Sequence, residues 1–212
     1  MDQHTDGQRG LRVNRPQVVL LGDSISQGWS GPGRQVGGAG GGARKRHLDR
    51  FNVVTLGISG DRTQHVLWRL ENGAFDSHKP RVVSLLIGVN NINGDSAEAI
   101  ALGIESVIRK IHEKAPEAVI VLNALFPVGK AVDDPRREKV AMVNKLISRF
   151  ADNVSVHWLD IGRQLLLENG TADPTKMAGD SLHLVAGGYE VWGAELERAL
   201  ERILIGAFAE VR

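Results

Sequence analysis

The chain has 212 residues, with 26 Lys and Arg against 25 Asp and Glu, a formal net charge of +1 and no cysteine. That length suits one domain with a full core and is short for two. The balanced charge gives no general attraction to nucleic acid or to an anionic membrane. Without cysteine, disulfides, thiolate zinc sites and a cysteine nucleophile are excluded, as expected of a protein from a reducing compartment. Met1 to Arg15 is polar and lacks the apolar stretch of a signal peptide. No later segment reaches the ~20 apolar residues that span a bilayer, so the expectation is a cytoplasmic protein with no integral membrane segment.

Residues 1–15 read as a flexible lead-in, and 16–212 as one domain. Gln17 to Leu21 is the first strand, an unbroken apolar run of the kind buried on both faces of a parallel sheet. It runs into Gly22-Asp23-Ser24. A glycine-rich stretch follows Trp29, including Gly37-Gly38-Ala39-Gly40-Gly41-Gly42. It lacks the Gly-Lys-Ser/Thr of a phosphate loop and reads as a flexible loop over 31–42 beside the active edge. A short basic helix over Ala43 to Arg50 precedes the second strand, Phe51 to Leu56.

Asp61 or Thr63 can cap a helix through Val66, Leu67 and Leu70 that ends near Asn72-Gly73. Arg81 to Ile87 is the third strand. Ser96 caps a helix over Ala97 to Lys114, with Ile100, Ile104, Val107, Ile108 and Ile111 at helical spacing. Ala118 to Leu122 is the fourth strand, Pro135 to Phe150 a helix, Val154 to Leu159 the fifth strand, and Ala186 onward a final amphipathic helix. Strands alternating with helices predict an α/β, three-layer sandwich around a parallel five-stranded sheet. Trp68, Trp158 and Trp192 are expected in the core, and Trp29 at the substrate or at a dimer contact.

Ligands of open α/β sheets bind at the carboxyl edge of the strands. Ser24 stands there, where a nucleophile is useful, although Gly-Asp-Ser is also ordinary loop chemistry. Asp180-Ser181-Leu182-His183 decides between the two. An Asp three residues before a His can orient one ring nitrogen and leave the other to take a proton, which is the base half of a Ser-His-Asp triad. The other histidines show no paired metal-ligand spacing. Acyl transfer also needs donors for an oxyanion. The Ser24 N–H, the Gly60 N–H and the Asn90 side chain follow three successive strands on one sheet edge. Taken singly, Gly60 reads as a turn and Asn90-Asn91 as a loop leading into a helix.

Gly22-Asp23-Ser24, Gly60, Gly88-Val89-Asn90-Asn91 and Asp180-Ser181-Leu182-His183 resemble, in order, the four sequence blocks of the SGNH (GDSL) hydrolase superfamily. The stretch from Leu56 to Gly73 is similar to the catalytic subunits of intracellular platelet-activating factor acetylhydrolases and their bacterial relatives. The resemblance implies a flavodoxin-like fold. It makes Ser24 the nucleophile, His183 the general base and then acid, and Asp180 the orienting carboxylate. Ser24, Gly60 and Asn90 form the oxyanion hole. It implies no cofactor and no metal, a small-molecule ester as substrate, and a homodimer; the animal members also bind a WD-repeat subunit.

At the positions lining a small acyl pocket in that branch stand Ile25, Val89 and Leu182, branched residues expected to favour acetyl esters. Arg62 and His65 are placed to touch a polar head group or simply to begin a solvated helix. The third block often reads Asn-Asp in the superfamily, and here Asn90 is followed by Asn91. Carbohydrate O-acetyl esterase, lysophospholipase and thioesterase activities use the same residues. Outside catalysis stand a binding or assembly protein that keeps the fold and a nucleotide binder, for which Gly22-Asp23-Ser24 is a short phosphate loop.

Overall fold

The five apolar runs become five parallel strands: β1 (Val18–Gly22), β2 (Val53–Gly57), β3 (Val82–Leu86), β4 (Val119–Asn123) and β5 (Val156–Leu159). The computed structural model describes residues 3–30, 38–204 and 206. Sheet order is β2-β1-β3-β4-β5. The pairing aligns Gly22 with Gly57 and Leu21 with Leu56 and Leu85, so the first three strands end at one level. Every residue of β1, β2 and β3 is buried, the pattern of a sheet covered on both faces.

The helices are α1 (Gln3–Asn14), α2 (Ser24–Gln27), α3 (Gly41–His47), α4 (Thr63–Glu71), α5 (Ala97–Lys114), α6 (Pro135–Ile147) and α7 (Ala186–Leu204). The step from β1 to β2 runs one way along the sheet, and the steps to β3, β4 and β5 run the other. Right-handed crossovers then put α3 on one face and α4, α5 and α6 on the other. The packing agrees: α4 lies on α5 and α5 on α6, while α3 lies on α7. The predicted three-layer α/β sandwich is the observed architecture.

The helix predicted over Ala97 to Lys114 stands with those bounds, and Ser96 Oγ accepts the Ala99 N–H as its cap. Other boundaries move for local reasons. The fifth strand begins at Val156 rather than Val154, because the Asp152 carboxylate collects the N–H groups of Val154, Ser155 and Val156, each at 2.8 Å, and turns the chain there. The sixth helix stops at Ile147, and Ser148–Phe150 tightens into a 3₁₀ turn. The lead-in contains α1, which packs on β2 through buried Gly7, Gly10 and Leu11; a Cβ at Gly7 would lie 2.9 Å from Leu56. Two of its buried positions carry no side chain, so it shows too little apolar periodicity to be read as a core-facing helix.

Of the glycine-rich loop 31–42, residues 31–37 lie outside the described residues. The rest is packed rather than loose. The Gly40 N–H donates to Gly28 O at 3.0 Å, and a Cβ at Gly38 would stand 2.2 Å from that same oxygen. Glycine here lets one backbone lie directly on another beside the turn that carries Ser24.

The tryptophans sort differently from expectation. Trp29 is fully buried and packs against Tyr189 and Trp192, with ring centroids 4.9 and 5.0 Å away, so it borders neither solvent nor a partner. Trp192 is buried as expected, and its indole N–H donates to Asn123 Oδ1 at 2.8 Å. Trp158 is half-buried on the edge strand. Trp68, expected in the core, is 53% exposed and lies beside His4 of α1. It occupies the outer face of α4, while Val66 and Leu70 occupy the inner one.

Candidate active site

At the end of β1, Asp23 is extended and its Oδ1 accepts the Ile25 N–H at 2.9 Å, an aspartate cap that starts α2. Ser24 is therefore the first residue of a helical turn set on the carboxyl end of a central strand. This turn has little room beneath it. A Cβ at Gly57 would lie 2.1 Å from Gln27 N and 2.6 Å from Asp23 O, both backbone atoms. Gly57→Ala should cost about 3 kcal/mol, the upper end for overpacking, and should lower turnover because it pushes the whole Ser24 turn. Urea denaturation beside ester kinetics checks both, and an alanine variant of unchanged stability would refute the contact.

Ser24 Oγ lies 2.9 Å from His183 Nε2, across 159 positions of sequence. His183 Nδ1 lies 2.6 Å from Asp180 Oδ2. The other carboxylate oxygen, Oδ1, accepts the backbone N–H groups of Leu182 and His183, both at 3.0 Å. Burial pushes the Asp180 carboxyl up, but the His183 ring and these two N–H groups outweigh it and hold it at about 2. The carboxylate is thus ionised and fixed in orientation at any working pH.

The loop is shaped to make this possible. Ser181 takes the left-handed conformation with φ +50°, and its carbonyl accepts the Gly129 N–H at 2.8 Å. The His183 carbonyl accepts the Ala178 N–H at 2.8 Å. Arg137 of α6 in turn donates to the carbonyls of Val128, Gly129 and Gly170. The loop carrying Asp180 and His183 therefore hangs on α6 through residue 129.

Gly60 and Asn90 lie in the loops after β2 and β3. Gly60 is exposed with φ +80°, a conformation in which any other residue is strained. Gly88, with φ +127°, turns the chain out of β3 into the 3₁₀ turn Val89–Asn91. The Asn90 amide donates to Asp61 O at 2.8 Å. That bond uses one of its two N–H groups and aims the side chain at the Gly60 loop. The oxyanion candidates thus sit on three adjacent strand ends, with Ser24 on the middle one.

Ile25 is 1% exposed and belongs to the core, whereas Val89 and Leu182 are half-buried and pack on its edge. Arg62 and His65 are exposed, and the Arg62 N–H donates to His65 Nδ1 at 3.1 Å, a helix-start contact. Among the described residues, no group of three or more His, Asp or Glu is arranged to hold a metal ion.

Two residues escape the sequence reading. Arg69, 5% exposed, donates to Leu56 O at 2.7 Å and Gly22 O at 3.2 Å and pairs with Asp61 at 2.7 Å. One guanidinium ties the ends of β1 and β2 to the Gly60 loop. Its signal in sequence is an arginine beside Leu70 on the apolar stripe of α4, where a charge needs a partner. The other is Asn91, 2% exposed and hydrogen-bonded to α4 and to Asp95.

Comparison with known proteins gives this geometry its context. The sequence pattern of the GDSL-like lipase/acylhydrolase family matches residues 20–191. The chain belongs to this family. Among relatives of this GDSL hydrolase, human platelet-activating factor acetylhydrolase IB subunit alpha2 is 37% identical over 196 residues, covering 89% of this chain and 78% of the relative. The human alpha1 subunit is 32% identical over 202 residues, covering 92% and 78%. Among solved structures, a GDSL-like lipase from Bacteroides thetaiotaomicron superposes with a TM-score of 0.73 at 17% identity, covering 95% of this chain and 98% of the other. An acetyl xylan esterase superposes with a TM-score of 0.71 at 20% identity, covering 86% and 98%. The GDSL hydrolase is an enzyme acting on esters. Among its described residues, no helix is long and apolar enough to cross a membrane.

Proposed function

We propose that this GDSL hydrolase removes a short acyl group, acetyl above all, from an ester through a Ser24–His183–Asp180 triad and an acyl-enzyme. The observation that carries the reading is the unbroken line from Ser24 Oγ to His183 Nε2 at 2.9 Å and from His183 Nδ1 to Asp180 at 2.6 Å. The ionised carboxylate keeps the His183 proton on Nδ1, so Nε2 presents a lone pair to the serine hydroxyl.

Ser24 Oγ attacks the ester carbonyl carbon as its proton passes to Nε2. The carbonyl oxygen becomes an oxyanion and takes hydrogen bonds from the Ser24 and Gly60 N–H groups and from the free N–H of the Asn90 amide. Collapse expels the alcohol, which takes the proton from Nε2 and leaves Ser24 acylated. Water then attacks the acyl carbon, giving its proton to Nε2. Ser24 leaves with that proton, and the carboxylic acid is released. No cofactor enters this scheme.

Val89 and Leu182 adjoin Asn90 and His183 and are the walls of the acyl pocket, with buried Ile25 beneath them. Two further facts agree with a small acyl group: the human relatives are named acetylhydrolases, and the acetyl xylan esterase shares the fold.

With p-nitrophenyl acetate the enzyme should show a burst of p-nitrophenol and an acetyl adduct on the peptide carrying Ser24. Ser24→Ala should carry no adduct. Across acetate, butyrate and octanoate, kcat/KM should fall at least about tenfold at the first step, as a tight apolar pocket rejects added methylenes. An adduct on another residue, or turnover without one, sinks the triad; a flat chain-length profile sinks the acetyl preference.

A further inference from the structure

We infer that Asn91 is a positioning residue that locks together the two loops carrying the oxyanion donors, and that it must be an amide because Asp95 faces it. The inference rests on the reading of Gly60 and Asn90 as those donors. Two successive asparagines reach the same segment at different points. Asn90 donates to Asp61 O at 2.8 Å, one residue after Gly60. Asn91 Oδ1 accepts the Thr63 N–H at 3.1 Å, where α4 begins. One link lets the Gly60 loop pivot; two links, on residues 61 and 63, stop both sliding and rotation relative to Asn90.

The far side of Asn91 is anchored as firmly. Its Nδ2 donates to Gln64 Oε1 at 3.1 Å and to Asp95 Oδ2 at 2.6 Å. Its backbone carbonyl accepts the N–H groups of Gly94 and Asp95. Lys139 of α6 holds the turn from outside, with Nζ 2.7 Å from Ile92 O and 3.2 Å from Asp95 O. The turn after β3 and the start of α4 thus meet at one buried amide, and α6 braces that turn through Lys139.

The orientation of that amide follows from its partners. Only an oxygen can face the Thr63 N–H, and only an N–H can face the Asp95 carboxylate; a flipped amide would place donor against donor and acceptor against acceptor. Asn91 spends both donors and an acceptor in this way. An aspartate at 91 would keep the Thr63 contact but set two carboxylates against each other, one of them on a buried residue and the other half-buried. They would part, carrying the turn of Asn90 away from the Gly60 loop. The charged group bonded to this turn is Lys139 from α6, and the Asp61–Arg69 ion pair stands in the segment that Asn90 reaches.

The test is a swap. Asn91→Asp should lower kcat for p-nitrophenyl acetate on the order of 10- to 100-fold, the scale of a misplaced donor, with KM within about twofold of wild type and Ser24 still acetylated, slowly. The double variant Asn91→Asp/Asp95→Asn exchanges carboxylate and amide and rebuilds the contact with its polarity reversed. Its kcat should return to within about threefold of wild type. A merely structural role would move stability in the single variant without moving kcat in the folded enzyme.

Wild-type kcat in folded Asn91→Asp overturns the inference. So does a folded double variant with kcat tenfold or more below wild type, which decides the matter even where the single variant fails to fold. Either result leaves Ser24 acetylation in the wild-type enzyme intact. Absence of that acetylation overturns the triad reading instead, so the two failures are distinct.

Discussion

With the proposed triad, Asp180→Asn should lower kcat for ester hydrolysis on the order of 10⁴-fold while leaving the loop of residues 180 to 183 folded. The loop fixes which way the new amide faces. The backbone N–H groups of Leu182 and His183 both point at Oδ1 and need an acceptor there. The asparagine oxygen takes that place, and its NH2 is left facing His183 Nδ1. A donor against Nδ1 forces that nitrogen to accept, so the ring proton moves to Nε2 and points at Ser24 Oγ. The imidazole then has no lone pair where the serine proton must go. Binding does not depend on this proton, so KM should change little. A loss under about tenfold would show that Asp180 does not set the tautomer. A variant with altered urea unfolding would show that the carboxylate holds the loop by charge rather than by its acceptor geometry.

Much of this arrangement is written locally in the chain. The capped helix over Ala97 to Lys114 and the apolar strands are legible because side-chain period and burial are the same fact. Asp180 and His183 are legible for a similar reason: three positions apart in a loop, they interact without help from the rest of the fold. The partnership with Ser24 is different. It joins residues 159 positions apart, and only the parallel topology that sets β1 inside the sheet, between β2 and β3, brings them together.

What stays hidden is what depends on contacts between segments with no pattern of their own. Arg69 shows in the sequence only as a charge on the apolar stripe of α4, and nothing there says that acceptors from three segments converge on it. Asn91 looks like a loop residue beside the proposed oxyanion donor Asn90. Gly57 looks like a strand end, and its need for a bare Cα comes from the Ser24 turn lying on it. α1 is hidden because glycine supplies two of its three buried positions. A periodicity reading counts side chains, and these positions work by backbone approach or by polar atoms.

Asp23 gives the clearest consequence of such a contact, and it is read in stability. Its side chain is fully buried; Oδ1 has the Ile25 N–H, and Oδ2 has no hydrogen-bond partner. Burial pushes its carboxyl up to about 7, against the pull of the Ile25 N–H and of His183 and with the push of Asp61. In the unfolded chain the same group titrates near 3.8. Between those values the folded protein keeps a proton that the unfolded chain has released, so unfolding becomes easier as pH rises. The stabilisation is complete below the unfolded value and is lost through the folded one. A shift of about three units corresponds to about 4 kcal/mol. Asp23→Asn keeps an oxygen for the Ile25 N–H and is neutral throughout. Its stability relative to wild type should therefore climb by about 4 kcal/mol between pH 4 and pH 8, most of it before pH 7. Urea unfolding of both proteins across that range reads the difference directly. Parallel curves would mean that the carboxylate is solvated or paired in the native state, and that the Ser24 turn rests on an ionised Asp23.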